Sequence, residues 1–365
     1  MVRRIYWDVL KRELIAGRVG WVARATARYL LIHLSMRLGR PLCGPILGTI
    51  VTNYRCNYRC EMCDLPSRNR AAAELGTAEM LDLVGQFGAL GTLGIGFTGG
   101  EPLLRDDVFE LIRHTKRLGM IAHLNTNGSL VDGTVADRIL ESGVDSVNVS
   151  LDAPTAAVHD DIRGVEGAFD KAVGALRSLV RCGEGRARRP RLKAVCVLSE
   201  RNEELVPELL RLAEELGVDC LEVIPRQPFR AGEAALGLWR SEIGSEIGAS
   251  AVAALERARG GPVGIENSPR MLRLMSGWFA GGVSPLRCFA GYNSLVADCR
   301  GNVYPCLPWV NWDRPAVGNV GSSSLRHLWH SEAYQEVRRQ TRGCRECTLN
   351  CQAELNLLFQ RSART

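Results

Sequence analysis

The chain has 365 residues, 46% apolar and 24% charged, the balance of a folded protein with room for one α/β barrel and a small appendage. Its formal net charge of +6 sits at the start, where residues 1–42 hold nine Lys/Arg against two Asp/Glu; the near-neutral remainder excludes a basic nucleic-acid groove in the body. No stretch approaches the roughly 20 uncharged apolar residues of a spanning helix, and thirteen clustered cysteines with no signal segment ahead of them read as metal ligands in a reducing cytoplasm.

Residues 1–45 are expected to form a basic helical extension, with Trp7, Trp21, Val22, Tyr29, Leu30, Leu31 and Leu34 standing between arginines. A helix packed on the body of the protein is the preferred arrangement. The alternative is an amphipathic helix resting on an anionic membrane surface, peripheral to its inner face. From 46 to 225, short β-branched runs alternate with segments of helical period. The predicted strands are 46–52, 93–97, 120–124, 144–151, 192–198 and 218–224. Between them, Val108, Leu111, Ile112 and Thr115, and later Phe169, Ala172, Val173, Leu176 and Val180, recur at helix spacing. Thr77 and Asp106 are predicted N-caps, and Gly119, Gly143 and Gly217 are predicted stops. Six alternations imply a parallel sheet with right-handed crossovers, either open or curled into a barrel. Residues 226–285 read as a connector with helices near 242–259 and 269–278. A small cysteine-rich module follows at 286–352, with a short helix near 324–338, and 353–365 form a tail.

In such folds the ligand site lies at the carboxyl ends of the strands. Four polar clusters fall there: the loop from Asn53, Thr98-Gly99-Gly100-Glu101, Asn125-Thr126-Asn127-Gly128, and the pair Ser150 and Asp152. The first loop carries Cys56-Asn57-Tyr58-Arg59-Cys60-Glu61-Met62-Cys63. Cysteine thiolates hold iron-sulfur clusters, and three of them leave one of four irons open, as a catalytic metal keeps a vacant position. A zinc knuckle wants a fourth ligand close by, and no Cys or His follows within the next fifty residues. Two glycines let backbone approach a ligand closely, and the Glu101 carboxylate suits an ammonium donor. A period of two puts Asn148, Ser150 and Asp152 on one strand face.

Cys56-x3-Cys60-x2-Cys63 resembles the signature of the radical S-adenosylmethionine (SAM) superfamily. Gly99-Gly100-Glu101-Pro102 and Ser150-Leu151-Asp152 resemble its SAM-binding elements in order and spacing, over roughly residues 46–224. The resemblance implies a partial (β/α)6 TIM-like barrel. It implies that Cys56, Cys60 and Cys63 hold a [4Fe-4S] cluster whose open iron chelates the methionine end of SAM. Gly99, Gly100 and Glu101 would meet the amino group, and Ser150 and Asp152 the ribose or carboxylate, with Asn127 a further cofactor-binding candidate. Met62 stands where the family carries an aromatic residue on the adenine, and a thioether packs there too. Arg163 resembles a family arginine that pairs with the methionine carboxylate; a solvated loop arginine is the alternative.

Cys288, Gly301-x4-Cys306, then Cys344-x2-Cys347 and Cys351 resemble the SPASM or twitch extension of radical SAM enzymes. Gly318-Asn319-Val320 and a helix over 325–329 fit it. Six cysteines are too few for two auxiliary clusters. One cluster is therefore implied, on Cys288, Cys306, Cys344 and Cys347, with Cys351 the substitute and Cys299 a packed thiol. A zinc ribbon is the alternative for this module.

The implied activity is reductive cleavage of SAM to a 5′-deoxyadenosyl radical that abstracts hydrogen from a substrate carbon, with flavodoxin or ferredoxin as external reductant. The short segment ahead of the first strand favours a small-molecule substrate, undergoing dehydrogenation, epimerisation or a related rearrangement, over a peptide or a lipid. For an epimerisation, Cys196, Cys220, Cys299 and Cys351 are the candidate hydrogen donors. A non-catalytic metal-binding or electron-transfer protein is the reading from another class, and it requires a closed first site.

Overall fold

The computed structural model describes residues 10–11, 13–15, 17–68, 73–226, 245–279, 286–345 and 349–360; Trp7 and Cys347 lie outside them. Seven strands pair in chain order, all parallel: β1 (Leu47–Val51), β2 (Gly94–Thr98), β3 (Ile121–Thr126), β4 (Ser146–Ser150), β5 (Arg191–Leu198), β6 (Cys220–Pro225) and β7 (Gly264–Ile265). The first six match the predicted strands to within two residues at each end. Helices Thr77–Ala89, Val108–Arg117, Gly133–Glu141, Ala168–Gly183 and Val206–Glu215 follow β1 to β5. Their apolar stripes meet the strand residues of one face, so Phe87, Ile95, Phe97, Leu111 and Ile112 are fully buried. The sheet does not close, which makes the domain a partial barrel.

Helix ends differ by one residue from expectation. Gly76, not Thr77, occupies the first N-cap, and its N–H is accepted by the Glu79 carboxylate at 2.8 Å. Asp107, not Asp106, precedes Val108. Gly119, Gly143 and Gly217 all take positive φ after helices, where a left-handed residue ends the winding.

The cysteine-rich segment continues the same sheet. β8 (Ser294–Asp298) pairs in parallel with β1, and β9 (Asn302–Tyr304) and β10 (Gly318–Asn319) extend the edge antiparallel. The connector contributes β7 beside β6, between helices Ser245–Arg257 and Pro269–Phe279. The expected helix near 324–338 is two, Leu325–His330 and Glu332–Arg342, because Ser331 ends the first and its Oγ accepts from Tyr334 N to cap the second. Most of the expected tail is the helix Asn350–Phe359, whose Phe359 ring stacks on Tyr29 at 5.2 Å.

Tyr29 belongs to the N-terminal helix Val19–Leu38. Trp21 and Ala25 pack on Leu93 and Ile121, and Ile32 and Met36 on Phe289 and Tyr292. The helix therefore covers the N-terminal ends of β2 and β3, away from the cysteine loop. Among the described residues no helix is long and apolar enough to cross a membrane.

One carboxylate ties the two cysteine regions together. Asp298, at the end of β8 and 1% exposed, accepts from Tyr54 Oη at 2.8 Å, Asn302 N at 2.8 Å, Asn302 Nδ2 at 3.0 Å and Tyr304 Oη at 3.3 Å. Removing it strands two buried hydroxyls. Asp298→Ala is expected to cost about 2–4 kcal/mol, read as a lower urea midpoint; an unchanged midpoint would show that the tie is dispensable.

Candidate active site

All four polar clusters meet at one rim. A cleft with about 970 Å³ of empty space, part of it open to solvent, lies at the carboxyl ends of β1 to β5. Cys56, Cys60, Met62 and Cys63 line one wall, and Gly99, Gly100, Asn127, Ser150 and Arg163 line the others. Leu307 and Asn311, from the short helix after β9, complete the lining. Five contributors carried no sequence signal: Leu65, Pro66, Val197, Leu307 and Asn311. Tyr58 was inside the quoted motif yet unremarked; it lines the cleft and is buried.

The cysteine loop is clamped by backbone on two sides. Gly100 N donates to Asn53 O at 2.9 Å and Glu101 N to Arg55 O at 2.8 Å, while Asn53 Nδ2 returns a bond to Glu101 O at 2.9 Å. Gly99 has a φ of 136°, and a Cβ on Gly100 would collide with the Arg55 carbonyl, so the approach needs glycine. On the other side, Arg59 N donates to Arg163 O at 3.2 Å and Glu61 N to Ile162 O at 3.0 Å. Those carbonyls close the helix Ala156–Arg163, whose last acceptors would otherwise be unpaired.

Glu101 and Asp152 stand behind the wall and are fully buried. The Glu101 carboxylate accepts from Asn127 N at 2.7 Å, Thr126 Oγ1 at 2.8 Å and Leu103 N at 3.1 Å, locking the β2 and β3 loops together. Burial pushes its pKa up to about 7, against three hydrogen bonds that favour the anion. Asp152 accepts from Val197 N at 2.8 Å and pairs with Arg163 Nε at 2.5 Å. Arg163 Nη1 then reaches Cys60 Sγ at 3.8 Å. Burial alone would strip charge from this guanidinium, but Asp152 and Cys60 outweigh it and raise its pKa. Arg163 is thus a buried, oriented cation beside a candidate ligand, not a solvated loop residue.

Burial raises the Cys56 thiol and takes Cys63 up to about 11. Asn127 Nδ2 lies 3.9 Å from Cys56 Sγ and Tyr58 N 3.4 Å from it, donors suited to a thiolate. Loading iron on these sulfurs releases their protons.

At the second cysteine centre, Cys288, Cys306 and Cys344 line one small pocket with Trp309, Trp312, Arg314 and Gln352. Cys351 is exposed and within electrostatic reach of Cys306, whereas Cys299 is buried at the end of β8. Among the described residues no three His, Cys, Asp or Glu groups are close enough to hold a single metal ion. Of the candidate hydrogen donors, Cys196, Cys220 and Cys299 are buried and none of the four lines the cleft.

Comparison with known proteins decides the family. The model described as Radical SAM superfamily matches residues 50–213, and that of SPASM, an iron-sulfur cluster-binding domain, matches 288–352. The chain belongs to the radical SAM superfamily. A pre-heme d1 synthase of Dinoroseobacter shibae is 37% identical over 146 residues, 40% of this chain and only 34% of that protein. The PqqA peptide cyclase of Gluconobacter oxydans is 29% identical over 291 residues, 76% of this chain and 75% of its own. Streptococcus suis SuiB, solved with S-adenosylmethionine, shares the fold with a TM-score of 0.64 at 16% identity, over 92% of this chain and 80% of SuiB. Membership brings SAM and a [4Fe-4S] cluster as cofactors, and the SPASM match brings auxiliary iron-sulfur chemistry. The residues present fit: the three thiols of Cys56, Cys60 and Cys63 line one cleft together with Gly99, Gly100 and the buried cation Arg163.

Two tests follow from this radical SAM rim. Gly100→Ala is expected to force the clamped loops apart, costing about 2–4 kcal/mol and lowering the iron taken up on reconstitution; normal iron uptake at wild-type stability would contradict the clamp. His159, fully buried, accepts from Asp152 N at 3.1 Å, and burial lowers its pKa to about 4. The unfolded histidine protonates near its ordinary value while the folded one stays neutral, so stability is lost as pH falls from about 6.5 toward 4. His159→Asn keeps an acceptor but cannot titrate, and its urea midpoint should fall less over that window. Equal slopes would exclude His159 as the source.

Proposed function

We propose that this radical SAM enzyme modifies a ribosomally made peptide. What supports the reading is the PqqA peptide cyclase relative, which is similar over 76% of this chain and 75% of its own length. SuiB, solved bound to its precursor peptide SuiA, has the same fold. The expectation of a small-molecule substrate rested on the short segment ahead of β1, and a 291-residue alignment outweighs it. The matches to heme-forming enzymes, one of them over 287 residues, support a tetrapyrrole as the second reading.

Within this reading, Cys56, Cys60 and Cys63 hold the first cluster. Cys288, Cys306, Cys344 and Cys347 hold an auxiliary one, with Cys351 the substitute. The first cluster, when bound, supplies the electron that splits SAM into methionine and a 5′-deoxyadenosyl radical, and an auxiliary cluster supplies an electron acceptor. The chain's own residues position and shield. Met62, 6% exposed on the cleft wall, offers a polarizable surface for adenine. Gly99 and Gly100 present backbone to the amino end of SAM, with Glu101 fixing their loop. Asn127 and Ser150 offer polar groups to the ribose. Arg163, held by Asp152, sets a cation beside Cys60 that offsets thiolate charge and suits a carboxylate. An acidic electron carrier, a flavodoxin or ferredoxin, is the partner this scheme requires.

The test is anaerobic reconstitution, reduction with dithionite and addition of SAM, with 5′-deoxyadenosine measured by mass spectrometry. Wild type should form it, and Cys60→Ala should form at least about 100-fold less. Short peptides encoded beside the gene should raise the yield and change mass themselves. No 5′-deoxyadenosine from wild type would point to a non-catalytic metal protein. Unchanged peptides alongside consumption of a porphyrin precursor would favour the second reading.

A further inference from the structure

We propose that the outward face of the helix Val19–Leu38 is a docking surface for an anionic lipid bilayer. Among the described residues nine large apolar side chains are exposed, and seven of these fall between residues 14 and 42. Ile15 is 88% exposed, Leu30 62% and Leu38 52%. Single exposed apolar residues are ordinary on a protein surface, whereas this concentration in one segment is not.

The helical period gathers them. Val19, Leu30, Leu34 and Leu38 share a face with Ala23 and Ala27, opposite the buried Trp21, Ala25, Ile32 and Met36. The helix is therefore apolar on two sides, and among the described residues only the inner side is covered. Polar residues would serve the outer side equally well if water were its permanent neighbour.

Charge selects the occupant. No Asp or Glu occurs from residue 14 to residue 60, while Arg24, Arg37 and Arg40 are exposed along and just beyond the helix. The neighbouring helix Glu332–Arg342, whose Arg342 Nη2 donates to Met36 O, contributes Glu332 and Glu336, and both are engaged by Arg339. An apolar stripe rimmed by arginines complements acyl chains beneath anionic headgroups. A second copy of the chain would bring the same arginines against these, and like charges oppose that pairing. The inner side packs on the start of β2 and β3, so a bilayer here leaves the cysteine rim at the other end accessible.

The test uses the full-length, iron-loaded protein and vesicles of phosphatidylcholine, alone or with about one-third phosphatidylglycerol. The protein should sediment with the anionic vesicles only. Binding should weaken about tenfold at ~0.5 M salt, where the screening length is about 4 Å. The double variants Leu30→Glu with Leu34→Glu, and Arg37→Glu with Arg40→Glu, should each bind about tenfold more weakly. All four side chains are exposed, so circular dichroism and iron content should match wild type. Failure to sediment with anionic vesicles would overturn the proposal, as would full binding by the leucine variant. So would a wild-type dimer that the leucine variant dissolves, since the face would then serve self-association.

Discussion

The loop that carries Cys56, Cys60 and Cys63 has no regular secondary structure of its own, so its shape depends on backbone bonds made with its neighbours. Asn53 and Arg55 offer carbonyls to Gly100 and Glu101 on one side, and the last carbonyls of the helix Ala156–Arg163 receive Arg59 and Glu61 on the other. These bonds join three βα units at one rim. The polar residues behind the rim act on the same geometry. Glu101 binds the loops after β2 and β3, and Asp152 turns Arg163 toward Cys60. Buried carboxylates are costly unless they are paired, and each here has at least two partners. Their expense fits a rim whose geometry must hold while thiols lose protons and ligands arrive.

The second cysteine centre depends on the same sheet. β8 lies directly against β1, and its terminal Asp298 receives the hydroxyl of Tyr54, two residues ahead of Cys56. The helix after β9 then brings Leu307 and Asn311 over the first cleft. The two centres are thus neighbours on one continuous sheet, braced through a buried hydrogen-bonded carboxylate, and displacement of one is resisted by the other.

Much of this was legible in the sequence because local signals agreed. β-branched runs bounded by Gly119, Gly143 and Gly217 place the strands, and the strands place Asn53, Gly99, Asn127 and Ser150 at one rim without further information. What was not legible depends on contacts distant in sequence. Pairing of β8 with β1 joins residues about 250 apart, and no local pattern encodes it. Leu307 and Asn311 reach the cleft only through that pairing. The helix Asn350–Phe359, expected only as a tail, is likewise held by distant contacts, with Phe359 stacked on Tyr29. Asp152 was expected to face a ligand, and the structure turns it to Arg163 and Val197; an alternation of two stops being a guide once a strand ends, at Ser150.

The central claim is that three thiolates at this rim leave one iron corner to SAM. Electron paramagnetic resonance of the reduced, anaerobically purified protein tests it most directly, in a variant where Cys288, Cys306 and Cys344 are alanine so that only the first cluster contributes. Addition of SAM should shift the signal of that cluster. A signal indifferent to SAM, or zinc in place of iron at Cys56, Cys60 and Cys63, would contradict the account.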